Sequence, residues 1–359
     1  MRICQIITTL ELGGAETLLA NFCNILSEKH EITVLYLKGD PKVLKLFNPR
    51  IIIKQVPINA RCAGVIRDFL KSWKPEIVHT HLGHADFIGL WAARGLPLKM
   101  FCTMHNIHFK WDWRDKLIFS IYRFYFQTWA RKCQVICISK VVAKHVSQNL
   151  NVKADNVHVL YNGIPGSDCH LSKPEAREQS GIGKEKFVIL FVGRLEKQKA
   201  VHVLLNAIPL LREIPDLQVE IIGSGSLQSE LQELTENLGL NNMVNFRGNS
   251  YNPEPVFIAS DVFVLPSVFE GLGIVILEAF RSRLPVVASA IEGPAELIEN
   301  NKNGLLFERE NQEDLAYKIK ELYHNKELRT RLSEEAYERF ENNFSIEYYT
   351  LRLEQLYKS

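Results

Sequence analysis

The stretch FVILFVGRLEKQKAVHVLLNAIPLLREI, residues 187–214, contains a complete structural unit. Its first seven residues are apolar, rich in β-branched and aromatic side chains and too few for a helix, so they read as a strand buried on both faces. A polar turn follows, opened by Gly193 and carrying Arg194 and Lys199. From Ala200 onward the apolar residues return in a helical pattern. Strand, glycine-bearing turn and helix in succession point free backbone N–H groups and the positive end of a helix dipole over one edge of a sheet. Two cations in that turn neutralise a diphosphate better than either element alone. A loop that merely carries two solvated cations is the plainer alternative.

The same unit recurs throughout the chain. Strands are expected at 3–8, 31–37, 76–81, 99–105, 134–139 and 157–162, with helical segments between them. After the polar stretch GSDCHLSKPEAREQSGIGKEK a second series holds 187–193, 217–223, MVNFRG, VFIASDVFVLPS, PVVAS and GLLFE, and the remainder from NQEDLAYKIK onward is helical and charged. Short buried strands alternating with helices are the signature of parallel, doubly wound sheets. The fold class expected is α/β, two tandem Rossmann-like domains with a ligand cleft at their carboxyl edges. The boundaries expected are 1–165, 166–340 and a terminal helical segment, 341–359, packing back on the first domain.

At 359 residues, 46% hydrophobic and 23% charged, the chain has the composition of an ordinary globular protein. It contains no apolar run long enough to span a membrane, and its start reads as a strand, with no signal-peptide pattern. Seven dispersed cysteines argue for reduced thiols in a cytoplasmic setting. The net charge of +2 hides a split, since residues 1–165 carry 22 basic against 11 acidic residues and the rest is net negative. The basic half faces either an anionic membrane surface or the other domain.

Two glutamates raise the functional question. In FEGLGIVILEA, Glu270 precedes Gly-Leu-Gly and Glu278 interrupts the buried pattern of a helix. Gly271 and Gly273 let the chain turn before that helix, so Glu270 is expected to fold back over the helix N-terminus and Glu278 to face the same ligand. GGAE (13–16) and GSGSLQ (223–228) lack the dinucleotide fingerprint, and no P-loop is present. A dehydrogenase is thereby disfavoured, and no nucleic-acid-binding module is recognised.

Taken in order, GGAE, TMHN, GRLEKQK, IIGSGSLQSEL, DVFVLPSVFEGLGIVILEA and PVVAS resemble the retaining nucleotide-sugar glycosyltransferases of the GT-B architecture, glycosyltransferase family 4. The resemblance implies a hexosyltransferase-type enzyme. Glu278 would accept from the two ribose hydroxyls, as a two-oxygen acceptor matched to a vicinal diol. Glu270 would hold hydroxyls of the donor sugar, with Gly271, Leu272 and Gly273 serving sugar and phosphate through their N–H groups. His105 would contact the sugar, and Gly13 and Gly14 would let the first loop approach the diphosphate. Arg194 and Lys199 would stabilise the leaving diphosphate. The catalytic set expected is therefore His105, Arg194, Lys199 and Glu270.

By the same resemblance the departing phosphate deprotonates the acceptor hydroxyl, with no enzyme nucleophile. No Asp-x-Asp motif stands out, so transfer without metal or other cofactor is expected. HTHLGH, with His79, His81, His84 and nearby His108, has a metal-like look, but strand alternation argues against a shared ion. Two departures from the family pattern are noted: Ser282 and Arg283 before Pro-Val-Val, and Glu292 where glycine is common, close to the donor-sugar pocket.

The acceptor should be read from the first domain. In FKWDWRDKLIFSIYRFYFQTWARK (109–132), Leu117, Ile121, Phe124 and Thr128 share one helical face and Ile118, Tyr122, Phe126 and Trp129 another. One face fills the core; the other either meets a membrane or a lipid-linked acceptor or is buried too. Together with the basic half, this favours a cytoplasmic enzyme, peripheral at the inner face of the cell membrane, in polysaccharide or glycolipid biosynthesis. A nucleotide-sugar epimerase and a silent partner subunit of such a complex are the alternatives; nucleic acid is not an expected partner.

Overall fold

In the computed structural model, residues 1–11, 13–105, 113–128, 130–250 and 252–359 are described, without the side chains of 113–119. The chain divides into two compact units, Met1–Pro165 with Ser345–Ser359, and Gly166–Phe344.

The first unit carries a parallel sheet of seven strands among the described residues: β1 (Arg2–Ile7), β2 (Glu31–Tyr36), β3 (Ile52–Gln55), β4 (Ile77–His81), β5 (Lys99–Met104), β6 (Gln134–Cys137) and β7 (Val157–Val159). Their spatial order is β3-β2-β1-β4-β5-β6-β7. The order reverses between β1 and β4, and a doubly wound sheet opens a crevice at its carboxyl edge there. β3 was not among the expected strands. It pairs only with β2, at the sheet edge, and three of its four residues are exposed or nearly so, leaving no burial pattern to mark it.

The second unit repeats the plan with β8 (Phe187–Val192), β9 (Leu217–Ile222), β10 (Val244–Gly248), β11 (Val262–Leu265), β12 (Val286–Ser289) and β13 (Leu305–Phe307), ordered β10-β9-β8-β11-β12-β13. The sequence VFIASDVFVLPS is split: its VFIA belongs to the helix Glu254–Ala259, and β11 starts at Val262. Residues 341–344 do not cross over with the terminal segment, because the helix Lys326–Asn343 continues through them in the second unit.

The helix Ile346–Lys358 lies in the first unit, where Ile346, Tyr349, Leu353 and Tyr357 join the core formed by Ile3, Leu19, Phe22 and Phe101. Each contributes roughly 1.5–3 kcal/mol when its apolar side chain is fully buried. The entry point is tight: Ile346 N–H donates to Ile164 O at 2.9 Å, and a Cβ on Gly163 would lie 2.6 Å from Ser345 O.

In the aromatic segment, Ile121 and Phe124 are exposed while Tyr125 and Phe126 are buried. Tyr122 packs on Phe87 at 4.1 Å between ring centroids. The face of Tyr122 and Phe126 therefore fills the core. The side chains of Leu117, Ile118 and Trp129, and all of His108, lie outside the described residues. Among the described residues no helix is long and apolar enough to cross a membrane.

Candidate functional site

In the second unit the loops after β8 and β11, neighbours at the switch point, bring Lys199 and Glu270 together. The turn after β8 contains Lys197–Lys199, and its Gln198 is bonded twice to the β11 loop: Val268 N–H donates to Gln198 O (2.9 Å) and Gln198 Nε2 donates to Phe269 O (2.8 Å). This clamp sets Glu270 against Lys199. The Lys199 ammonium donates to Glu270 Oε1 at 2.5 Å, and Ser267 Oγ donates to the same oxygen at 2.7 Å. The pair is largely withdrawn from water, with side-chain exposures of 13% and 9%. Glu270 is thus fixed on the Lys199 side of its loop by partners that local sequence does not show.

Glycines make this packing possible. Gly273 has φ 88°, a left-handed conformation at the N-cap of the helix Ile274–Arg281. On the far side, a Cβ on Gly293 would come within 2.5 Å of Glu270 O. Glu292, next to it, is exposed at the start of the helix Glu292–Leu297, beside the Glu270 loop. Ser282 and Arg283 instead precede β12; Arg283 takes φ 52° and stacks on Tyr337 at 3.7 Å.

Glu278 lies in the second turn of the helix Ile274–Arg281. No hydrogen bond to its carboxylate is present among the described residues. Its pKa is raised, chiefly because burial desolvates the carboxylate; Arg281 opposes this and Glu254 adds to it. A raised carboxyl pKa means that the folded state holds the proton more tightly than the unfolded chain. Its contribution is therefore most favourable at low pH and is lost as pH climbs from the ordinary carboxylate value through the raised one. Glu278→Gln is expected to leave the ligand-free protein as stable as wild type or slightly more so at neutral pH, with the gap closing below the carboxylate range. Thermal melts across pH check this; a less stable glutamine variant at neutral pH would contradict it.

Arg194 is exposed, with no hydrogen bond or ion pair of its guanidinium among the described residues. Leu272 is buried and Gly271 partly so, both in the loop that precedes Gly273. The β8 and β9 loops interlock beneath Arg194: Leu195 N–H donates to Ser224 O and Leu227 N–H to Leu195 O.

The first unit holds the other expected residues. Gly14 is exposed and opens the helix Gly14–Leu26. The space above Gly13 is filled from within, since a Cβ there would lie 2.4 Å from Glu16 Oε2. The Glu16 carboxylate also accepts from Thr9 Oγ1 at 2.6 Å. Gly13 and Gly14 keep this loop free of side chains of their own, and in this structure the Glu16 carboxylate lies over Gly13.

His105 follows β5 and is part of a histidine row. The argument from strand alternation fails here. His79 and His81 are two residues apart and so share a face, with ring centroids 4.1 Å apart, and His81 Nδ1 lies 3.4 Å from His105 Nε2. Hydrogen bonds occupy these rings: His79 reaches Tyr357 Oη (2.6 Å) and Thr103 Oγ1 (2.7 Å), and His81 reaches Gln5 Oε1 (2.9 Å). Desolvation lowers all three pKa values, His79 to about 3, His105 to about 4, and His81 well below the usual range. The imidazoles are neutral at pH 7. Sequence reasoning missed Ser267, Gln198, Gly293 and the row itself, although the i, i+2 spacing of His79 and His81 was its visible signal.

Residues 172–339 match the family Glycosyl transferases group 1, and residues 12–166 match Glycosyltransferase Family 4. A UDP-Gal:alpha-D-GlcNAc-diphosphoundecaprenol alpha-1,3-galactosyltransferase of Escherichia coli is 30% identical over 70% of this chain and 70% of its own. An uncharacterized glycosyltransferase of Methanocaldococcus jannaschii is 33% identical over 68% of this chain and 65%, just under two thirds, of its own. Among solved structures, Anabaena HepE in complex with UDP superposes with a TM-score of 0.87 at 20% identity, covering 99% of each chain. The same Anabaena protein has also been solved with UDP-glucose.

Proposed function

This chain belongs to glycosyltransferase family 4, and we propose that it moves a hexose from a uridine diphosphate sugar to a hydroxyl of a lipid-linked or cell-surface glycan. The observation that carries the donor half is Glu278, a half-buried carboxylate with a raised pKa and no hydrogen-bond partner among the described residues, one helix turn beyond a glycine N-cap. A ribose diol matches such a carboxylate with two donors to two oxygens, and a carboxylate with a perturbed pKa is a candidate ligand-binding group. The UDP and UDP-glucose complexes of the Anabaena protein and the UDP-Gal donor of the Escherichia coli enzyme support uridine as the base.

In this reading, the bond from the anomeric carbon to the diphosphate loosens and negative charge grows on the leaving phosphates. Lys199 meets that charge with ammonium protons that Glu270 leaves free, and Arg194 brings an exposed guanidinium; together they do electrostatically what a metal does elsewhere. Glu270 holds sugar hydroxyls, and neutral His105 adds a hydrogen bond. The leaving phosphate takes the acceptor's proton on the same face, so configuration is retained and no metal is required. The exposed Ile121, the basic surplus of residues 1–165 and the lipid-linked acceptor of the Escherichia coli enzyme support an acceptor at an anionic membrane surface.

Calorimetric titration with UDP, GDP, ADP and their hexose conjugates is the test. Binding of UDP species, abolished or weakened at least about tenfold in Glu278→Ala, is expected. Equal affinity of wild type and variant, or preference for another base, would overturn the donor assignment.

A further inference from the structure

The histidine row is continuous with the returning C-terminal helix, and its polarity can be followed proton by proton. Tyr357 Oη accepts from Gln5 Nε2 at 3.1 Å, so its own proton goes to His79 Nδ1 at 2.6 Å. His79 then carries its hydrogen on Nε2 and donates to Thr103 Oγ1 at 2.7 Å. On the other branch Gln5 Oε1 accepts from His81 Nε2 at 2.9 Å, leaving His81 Nδ1 bare to accept from His105 Nε2 at 3.4 Å. His105 Nδ1 is left with a lone pair and no partner among the described residues. Because the three rings are neutral, each has one N–H, and the choice made at one ring dictates the next. Turning the Gln5 amide over reverses every bond in the chain.

We propose that Gln5 and Tyr357 are positioning residues that act through His105, holding its imidazole in the Nε2–H tautomer so that Nδ1 is presented as a hydrogen-bond acceptor to a hydroxyl of the donor sugar. The inference rests on the sugar-contact reading of His105 given above and adds residues from β1 and from the C-terminal helix. Gln5, His79, His81 and Tyr357 are all buried. With water excluded, the Tyr357 hydroxyl is what gives the Gln5 amide nitrogen its acceptor. Without it, neither orientation of the amide is fully satisfied, and His81 and His105 lose their fixed tautomers.

Tyr357→Phe removes one oxygen and keeps the ring packed 5.0 Å from Phe101. Tyr349→Phe is the matched control: it lies on the same helix, is 1% exposed, and its hydroxyl has no hydrogen-bond partner among the described residues. Nitrogen NMR of the histidine rings in the full-length protein at neutral pH reads the tautomer directly. Wild type and Tyr349→Phe are expected to show His105 as the single Nε2–H form and to share one kcat. Tyr357→Phe is expected to show mixed tautomers and a kcat lower by roughly tenfold, the scale of one hydrogen bond, at nearly unchanged KM for donor. An Nδ1–H wild type, or a Tyr357→Phe protein whose kcat falls while the His105 signals stay fixed, overturns the proposal. Full turnover in His105→Ala would instead remove the sugar-contact reading, and the tautomer result would still report whether the network sets the ring.

Discussion

Lys199→Ala is expected to lower kcat about 10²- to 10³-fold, the cost of deleting one preorganised group from a developing anionic centre. The same substitution strands Glu270, which is buried and whose charge Lys199 meets at 2.5 Å. Removing one partner of a buried ion pair costs about 3–5 kcal/mol, and the remaining hydrogen bond from Ser267 to Oε1 at 2.7 Å recovers part of it. Glu270→Ala should destabilise for the mirror-image reason. The double variant should lose less stability than the two single variants together, because the second substitution removes the charge that the first left uncompensated. Denaturant melts of the four proteins, with transfer rates at saturating donor, measure both effects. Intact turnover in Lys199→Ala, whatever its stability, would reduce the pair to a structural clamp and leave the leaving-group charge to Arg194.

Gly223→Ala is the second large effect, and it acts on the support beneath the site. Gly223 has φ 135°, closed to side-chain-bearing residues, and its Cβ would fall 1.9 Å from Gly193 O. The obstacle is backbone, held by Gly193 N–H donating to Ile222 O at 3.0 Å, and cannot rotate away. Strain at the torsion and overpacking each cost about 1–3 kcal/mol, so a loss of about 3 kcal/mol or more is expected, a fall in Tm of roughly 10 °C. Gly239→Ala is the comparison: φ is 68° but nothing lies within 4 Å, so it should cost only the left-handed penalty of about 1–2 kcal/mol. Equal losses in the two variants, seen in thermal melts, would mean that the two loops are not interlocked as described.

How far the sequence could be read depended on whether a feature was local. Phe187–Val192 announces itself as a buried strand because burial on both faces demands an uninterrupted apolar run, and the turn after it follows from Gly193 and the polar residues to Lys199. Glu278 stood out because a carboxylate interrupted an apolar helical stripe. The partner of Glu270 was not legible, since Lys199 is 71 residues away and only the pairing of β8 with β11 makes them neighbours. Nor was Glu16 legible as the occupant of the space over Gly13, because a rotamer decides it. The histidines of β4 were misread through the strand period: alternation separates His79 from Thr80 and unites it with His81. The strand Ile52–Gln55 had its apolar residues in view, but at an exposed edge nothing in the pattern distinguished it from a loop.

The placement of Ile346–Lys358 in the first unit bears on the order in which the protein is made. The second unit is one uninterrupted length of chain and can fold as soon as it leaves the ribosome. The first unit, although synthesised earlier, lacks Tyr349, Leu353 and Tyr357 until the second has been translated, and meanwhile the surface of Phe22 and its neighbours stays uncovered. The nascent protein thus carries an adhesive apolar face through the translation of an entire domain. A premature stop after Phe344 is expected to yield a finished second unit attached to a first unit with that face uncovered.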